Sequence, residues 1–185
     1  MPGNSPSLGL ESGTVEVVPY DPRWVGLFEE AASELDCVLG QTIVGIHHVG
    51  STAVPGLCAK PILDVLLTVR EFEEALGLVP VIESLGYEFR PDEDIPDRHF
   101  FRRLRGTART HHLSLAELSS WHHRATLAFR DSLRADPAKA QAYAQLKLEL
   151  ARRYPRDRPA YIAGKTAFVA AVLLEVGLDA EAEGT

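Results

Sequence analysis

A run of apolar residues at positions 62–69, containing a single acid, constrains the fold of this chain more than any other feature. Continuous apolar runs of this length are typical of strands that are buried on both faces of a sheet. Asp64 is the exception in the run, and a carboxylate is costly to bury unless it is paired or binds a metal. The sequence therefore predicts a central strand at 62–69 and makes Asp64 the outstanding candidate for a functional residue.

The sequence on either side predicts both helices and strands. Asp21 followed by Pro22 indicates a helix start, and apolar residues then recur at helical spacing up to Gly40. The helices predicted after Gly40, the first of them disturbed at Pro80, lie at 72–85, 120–134, 137–153 and 159–176. The other predicted strands lie at 14–18, 42–49, 87–90, 99–104 and 109–115. We expect an α+β fold, in which a mixed β-sheet with flanking helices carries a C-terminal lobe of three helices.

The length of 185 residues fits one domain with a helical extension. We expect an α/β core at 14–117 and a helical lobe packed on it at 118–178. The first residues, 1–13, are rich in Pro, Gly and Ser, and 179–185 is acidic. Both ends are predicted to be disordered tails.

Composition and charge limit the classes of function. The formal net charge of −7 disfavours broad nucleic-acid binding, although a local basic pocket remains compatible with it. No apolar run reaches transmembrane length, so we expect no membrane partner. Cys37 and Cys58 lack the spacing of a metal or redox site, which favours a reducing cytoplasm.

A Gly50–Ser51 turn follows the predicted strand at 42–49. Glycine removes the Cβ and lets backbone N–H groups approach a phosphate closely, and serine adds a hydroxyl donor. The residues alone leave a second interpretation open, in which Gly50–Ser51 is only a turn and Asp64 only caps a neighbouring loop.

Two pairs of adjacent histidines, His47–His48 and His111–His112, lie on predicted strands. Neighbouring strand residues point to opposite faces, so each pair offers one inward side chain, and we expect these to be His48 and His112. This alternation disfavours a zinc site with four histidines. One histidine that binds phosphate or acts as an acid or base is favoured instead, with a hydrogen-bonded structural histidine as the alternative.

Cationic side chains form two further candidate groups. Arg98 and Arg102 share a face of the predicted hairpin and are suited to phosphate, although a charged edge strand shows the same pattern. Tyr161 and Lys165 lie four apart on a predicted helix, where they could stack on a base and neutralise phosphate. A packed tyrosine beside a lysine with a buried stem is the alternative.

Several motifs in a fixed order resemble the GrpB family, also called the UPF0157 group. The resemblance runs from about residue 15 to 177 and rests on VVPYDPRW (17–24), HVGSTAVPGL (48–57), KPILD (60–64), FFRR (100–103), THHL (110–113) and LAFRD (127–131). This family is similar to the nucleotidyltransferase superfamily, so the resemblance implies a nucleotidyltransferase-like fold. In that superfamily a Gly-Ser turn precedes a strand with two acids at alternate positions, which hold two magnesium ions against a nucleoside triphosphate.

Here the acid pair is incomplete, because Leu66 stands two residues after Asp64. The resemblance therefore implies one magnesium ion, held by Asp64, substrate phosphates and water. His112 is the expected catalytic acid or base beside Asp64. The residues expected to bind the nucleotide are His48, Gly50, Ser51, Lys60, Arg98, Arg102, Tyr161 and Lys165.

The function expected from these features is a magnesium-dependent nucleotidyltransferase with an unknown acceptor. The alternative is a protein that binds a nucleotide or a coenzyme A-related phosphometabolite without catalysis. Leu66 favours this alternative. The family that the chain resembles also includes fusions to a dephospho-coenzyme A kinase domain, so the resemblance implies coenzyme A-related ligands. An interaction module without a small ligand is the third interpretation.

Overall fold

The computed structural model describes residues 8–179, and it combines a mixed β-sheet with five α-helices within that range. The strands are β1 (Leu10–Glu11), β2 (Gly45–Val49), β3 (Leu63–Val69), β4 (Tyr87–Phe89), β5 (Arg98–Arg105) and β6 (Ala108–Glu117). The helices are α1 (Arg23–Leu39), α2 (Val79–Ser84), α3 (Trp121–Ala135), α4 (Pro137–Arg153) and α5 (Arg158–Glu175). The expected mixed α+β architecture is confirmed.

The sheet has the strand order β2-β3-β6-β5-β4, with β1 paired to β6. Strand β3 runs parallel to β6 and antiparallel to β2, while β5 and β6 form the predicted hairpin. The apolar run at 62–69 thus forms an interior strand, and the side chains of Leu63, Leu66 and Leu67 are fully buried. Burial on both faces explains why the run is almost continuously apolar.

The two faces of the sheet have different coverings. The closed face carries Val65, Leu67, Phe101 and Leu113, which pack in an apolar core with residues of α1 and α2 such as Leu35. The pocket face carries the alternate residues of the same strands, and α3, α4 and α5 lie over it. Because side chains alternate along a strand, one stretch of β3 contributes to both environments.

Some predicted elements differ from those observed. The predicted strand at 14–18 is reduced to one bridge, between Val18 and Ala59. The predicted helix at 72–85 is a 3-10 helix, Phe72–Leu78, followed by α2. Proline cannot donate a backbone hydrogen bond and its ring clashes with the preceding turn, so the α-helix begins anew beside Pro80.

Residues 8–13 differ from the disordered tail predicted for 1–13. Leu8 and Leu10 are buried, and β1 pairs with β6 at Leu10–Arg109. Backbone pairing and burial of two leucines offset the entropy of ordering this short segment. The rest of that tail, 1–7, and all of the predicted acidic tail except Asp179 lie outside the described residues. Within residues 8–179, no helix combines the length and the apolar character needed to cross a membrane.

Candidate functional site

A pocket of about 400 Å³ lies between the pocket face of the sheet and the C-terminal helices. This volume lies within the range of small-molecule sites. Eight of the residues predicted from the sequence line it, namely Gly50, Ser51, Lys60, Asp64, Arg98, His112, Tyr161 and Lys165. Residues from β2–β3, the β5–β6 hairpin and α5 therefore meet in one place.

Asp64 lies on the floor of this pocket because of the register of the sheet. It is paired with His112 across the parallel strands β3 and β6, so the two side chains share a face. Asp64 Oδ1 is 3.1 Å from His112 Nδ1. Burial alone would raise the pKa of Asp64, but the hydrogen bond with His112 and the charges of Lys60 and Lys165 outweigh it. Its pKa is therefore below the ordinary value, and Asp64 is ionised at neutral pH.

His112 is oriented by this contact. Burial lowers its pKa more strongly than Asp64 raises it, so the imidazole is neutral at neutral pH. An ionised carboxylate can only accept, so the Nδ1–H of His112 donates to Asp64. The Nε2 atom is then the ring's acceptor, which is the state that a general base requires.

Gly50 lies directly against the Asp64 carboxylate. It has a φ of +69°, and a Cβ added there would be 2.3 Å from Asp64 Oδ2. Both the backbone conformation and the lack of space therefore require glycine at this position. The short 3-10 helix Ser51–Ala53 follows at once and turns the chain along the pocket wall.

Lysines are concentrated around two tyrosines in the pocket. The Nζ atoms of Lys60 and Lys165 lie 5.7 and 4.8 Å from the centre of the Tyr161 ring, and Lys147 Nζ lies 4.9 Å from that of Tyr143. Burial lowers the pKa of Lys60 to about 8, against the opposing influence of Asp64. Burial likewise lowers the pKa of Lys147 to about 8 and also lowers that of Lys165. These ammonium groups are costly to bury, and an anion beside them would reduce that cost.

Arg98 enters the pocket from β5. Its guanidinium lies 4.9 Å from the centre of the Phe100 ring and donates to the backbone carbonyl of Glu93. Its Nε atom is buried and has no hydrogen-bond partner among residues 8–179. An anionic ligand in the pocket would provide such a partner.

His48 does not line the pocket, which corrects its expected role in substrate binding. It pairs with Val65 on the closed face, where its ring stacks on Phe28 at 4.6 Å and its Nε2 lies 2.9 Å from Thr52 Oγ1. The register of β2 instead directs His47 to the pocket face, where it meets His123 rather than Asp64. Residues 8–179 contain no group of three or more His, Cys, Asp or Glu placed to hold a metal.

Arg102 also lies outside the main pocket. It is paired with His112 in the sheet, on the same face, but its guanidinium binds Glu88 at 2.9 and 3.1 Å. It lines a neighbouring cavity instead.

Three charged residues of the pocket were not among the predicted site residues. Lys147 is only 2% exposed, and its ammonium group donates to the backbone carbonyl of Cys58. Its spacing of four from Tyr143 was the available signal, because Tyr161 and Lys165 have the same spacing. Glu93 and Arg158 also line the pocket, at 3.4 Å from each other. Glu93 belongs to an acidic loop between Pro91 and Pro96, whereas no local pattern in the sequence marks Arg158.

Comparison with known proteins places this architecture in a family. A sequence model described as GrpB protein matches residues 14–175. The crystal structure of conserved protein GrpB from Enterococcus faecalis is similar, with a TM-score of 0.79 and 36% identity, covering 86% of this chain and 96% of that one. A dephospho-CoA kinase of Mycobacterium bovis is 25% identical over 176 residues, which are 80% of this chain and 42% of that protein.

Curated relatives carry the same family names. A UPF0157 protein of Pseudomonas aeruginosa is 43% identical over 162 residues, 86% of this chain. This chain spans 66% of the length of that protein and 45% of that of a UPF0157 protein from Bacillus subtilis. The glutamate-rich protein GrpB of Alkalihalophilus pseudofirmus is 31% identical over 173 residues, which are 91% of this chain and 99% of that protein. Because the family model and two of these relatives match 162 to 173 residues of it, this chain belongs to the GrpB family.

Proposed function

We propose that the pocket around Asp64 binds the phosphates of a nucleoside triphosphate together with magnesium, and that the protein transfers a nucleotidyl group to an acceptor. The observation that carries this proposal is the concentration of Lys60, Lys147, Lys165 and Arg98 around one ionised carboxylate. We also propose that the fold is nucleotidyltransferase-like, as the resemblance to the GrpB family implies.

The charge of the pocket supports a phosphorylated ligand. Buried ammonium and guanidinium groups are stable only when anions or hydrogen-bond acceptors lie nearby. In the described structure the cations are only partly compensated, because Lys60 and Lys147 have pKa values lowered to about 8. Phosphate oxygens would reverse that shift. Phe129, Ile162 and Val169 also line the pocket and provide the apolar wall that a base requires.

The oxygen ligands of the pocket suit magnesium only when phosphate oxygens complete its coordination. Magnesium prefers six oxygen ligands, and Asp64 supplies the one carboxylate on this stretch of the pocket face. Leu66, two residues on, is fully buried and packs with Val49 and Ala116. Asp64 would thus hold the ion through its carboxylate, and a bound magnesium ion would neutralise phosphate charge.

His112 is the residue that would handle the proton in the transfer. An acceptor hydroxyl oxygen attacks the α-phosphorus, the bond to the pyrophosphate group breaks, and pyrophosphate leaves. The hydroxyl proton passes to His112 Nε2, because Nδ1 is held by Asp64. Lys60, Lys165 and Arg98 would stabilise the negative charge on the phosphates during this step.

The second candidate function is binding of a phosphorylated metabolite without transfer. Leu66 favours it, because the pocket then lacks a second carboxylate on β3. The similarity of most of this chain to part of a dephospho-CoA kinase favours coenzyme A-related ligands for that role.

A binding panel and a product assay test the two functions together. Calorimetry with the four common nucleoside triphosphates, coenzyme A and dephospho-coenzyme A, each with magnesium, should identify at least one ligand. Lys165→Gln should weaken its binding. Pyrophosphate released in the presence of acceptor mixtures, and lost in His112→Ala, would establish transfer. Tight binding without pyrophosphate release would favour the second candidate, and no binding of any panel member would contradict both.

A further inference from the structure

A second cavity, of about 160 Å³, adjoins the main pocket. Three guanidinium groups line it, those of Arg102, Arg109 and Arg158, and we call it the arginine recess. The recess and the main pocket share four residues in their walls, which are Glu93, Phe100, His112 and Arg158. His112 therefore lies between the two cavities.

Three different elements bring the arginines together. Arg102 lies on β5, Arg109 near the start of β6, and Arg158 is the first residue of α5. Burial lowers the pKa of the Arg109 guanidinium, and the charges of Arg158 and Arg102 lower it further, while Glu93 opposes them. Like charges from separate elements are unfavourable unless an anion lies among them.

Hydrogen bonding in the recess is incomplete. Arg109 is only 6% exposed, and one of its terminal nitrogens donates to the backbone carbonyl of Glu11 at 2.9 Å. The Nε atoms of Arg109 and Arg158 are buried and have no hydrogen-bond partner among residues 8–179. A buried charged donor without a partner is costly, and an oxyanion is the group that guanidinium donors bind best.

Glu93 and Glu88 compensate only part of the positive charge. Glu93 lies 3.4 Å from Arg158, but it also faces Arg90 at 3.7 Å. Glu88 binds Arg102 and Arg90 at once, and 46% of its side chain is exposed. Glu88 and Glu93 thus contact two of the recess arginines, Arg102 and Arg158, and Arg90 has Asp92 as a further partner at 2.7 Å. Arg109 has no ion pair among residues 8–179, so the recess keeps an excess of positive charge.

We infer that the arginine recess binds a phosphate group of a second substrate, so that the acceptor in the proposed reaction is itself a phosphorylated small molecule. The acceptor role rests on the proposed function, whereas phosphate binding by the recess does not. Three guanidinium groups suit a doubly charged phosphate better than a singly charged carboxylate. A group bound there lies beside His112, the residue that faces the main pocket as well.

Calorimetric titration of inorganic phosphate into the full chain tests this inference. The wild-type protein should bind phosphate both alone and when saturated with ATP and magnesium, and should bind acetate more weakly. Arg102→Gln and Arg158→Gln should each weaken phosphate binding by about tenfold, the effect of losing a hydrogen bond to a charged group. Arg103→Gln is the matched control, because Arg103 is adjacent on β5 but binds Glu34 on the closed face.

The same titrations separate this inference from the proposed function. Unchanged phosphate affinity in both Arg102→Gln and Arg158→Gln, stronger binding of acetate, or full displacement of phosphate by ATP with magnesium would overturn the recess site. If none of the four common nucleoside triphosphates binds but phosphate binding still depends on Arg102, the recess stands and the proposed function falls. Chemical unfolding of each variant checks the fold, and Arg158 on a helix gives an independent result if Arg102→Gln is unstable.

Discussion

The closed face and the pocket face of the sheet are built by the same strands but serve different ends. On the closed face, the core residues Val65, Leu67 and Leu113 are at most 1% exposed and pack in one apolar cluster. One residue away along these strands, Asp64 and His112 face a pocket. Burial of apolar side chains on the closed face stabilises the fold, whereas the buried charges on the pocket face reduce its stability.

The difference between the faces separates structural from functional residues. A protein that needed only stability would fill the pocket with apolar side chains, because well-packed apolar residues often replace buried charges without loss. Here Lys147 is 2% exposed and its pKa is lowered to about 8. A lysine that is buried despite the loss of stability this causes is typical of a binding site.

The largest effect is expected from two adjacent phenylalanines on opposite faces. Phe101→Ala should lower the free energy of unfolding by about 4 kcal/mol, because Phe101 is fully buried on the closed face. Phe100→Ala should lower it by less, about 3 kcal/mol, because its ring borders two cavities, and should weaken ATP binding with magnesium. Urea unfolding and calorimetry measure both. Equal losses of stability would remove the distinction between the faces.

Alanine substitutions at two glycines, Gly50 and Gly56, test how closely Gly50 packs against Asp64. Gly50 and Gly56 have φ values of +69° and +78°, but a Cβ at Gly56 would meet no atom within 4 Å. Gly56→Ala should therefore cost only the backbone strain, about 1 kcal/mol. Gly50→Ala should cost about 3 kcal/mol, because its methyl group collides with Asp64. Thermal or chemical unfolding measures the loss of stability in each variant. Similar losses would mean that the Asp64 side chain moves away from the new methyl group at little cost.

A lysine of the pocket face should affect binding and leave stability nearly unchanged. Lys165→Met removes a buried charge while His112 and Lys60 remain as partners of Asp64, so the free energy of unfolding should change by less than about 1 kcal/mol. Affinity for ATP with magnesium should fall by about tenfold, since a phosphate contact is lost. Lys139→Met is the control, because Lys139 pairs with Glu175 at 2.6 Å away from the pocket. Undiminished affinity in Lys165→Met would make that lysine structural.

The smallest effect is the dependence of binding on pH. Phosphate binding favours protonated Lys60 and Lys147, whose pKa values are about 8 in the free protein, so affinity should fall as pH rises through 8. Calorimetry in buffers of different ionisation enthalpy should record proton uptake on binding near pH 8. Affinity that stays constant from pH 7 to 9.5 would contradict this account.

The same lysines determine whether the free energy of unfolding rises or falls with pH. Their pKa is lowered from 10.5 in the unfolded chain to about 8 in the folded one, so between these values the unfolded state binds more protons. Burying these lysines in the protonated form thus costs stability, and this cost is fully present below pH 8 and disappears as pH rises to 10.5. The difference in unfolding free energy between Lys60→Met and the wild type should therefore shrink as pH rises from 8 to 10.5.

Much of the fold was predictable because its signals are local. The apolar run of β3 and the helical spacing of the C-terminal lobe determine their elements directly. The pairing of Leu10–Glu11 with β6 was missed, because a short segment gains its order from a partner strand distant in sequence. Pro80 was recognised as a disturbance, but not as the point where a 3-10 helix gives way to α2.

The candidate site was predictable where residue type and face are fixed by neighbours in sequence. Asp64 and Gly50 follow from an acid in an apolar strand and a turn before it. His48 was assigned to the wrong face, because the register of β2 against β3, which the sequence does not show, decides it. Arg158 reaches the pocket only through the packing of α5, and no local pattern marks it, whereas the spacing of Lys147 from Tyr143 is a local signal that does not by itself show which side of α4 faces the pocket.

The most direct test of the central claim is the magnesium affinity measured by calorimetry with and without ATP. Asp64 alone supplies one carboxylate, so magnesium should bind weakly to the free protein and clearly more tightly with nucleotide. Asp64→Asn, nearly isosteric, should keep the fold and abolish this coupling. Alanine at Glu93, which lines the pocket, shows whether a second acid contributes. Equal magnesium affinity with and without ATP, or coupling that persists in Asp64→Asn, would contradict the account and leave Asp64 a structural residue.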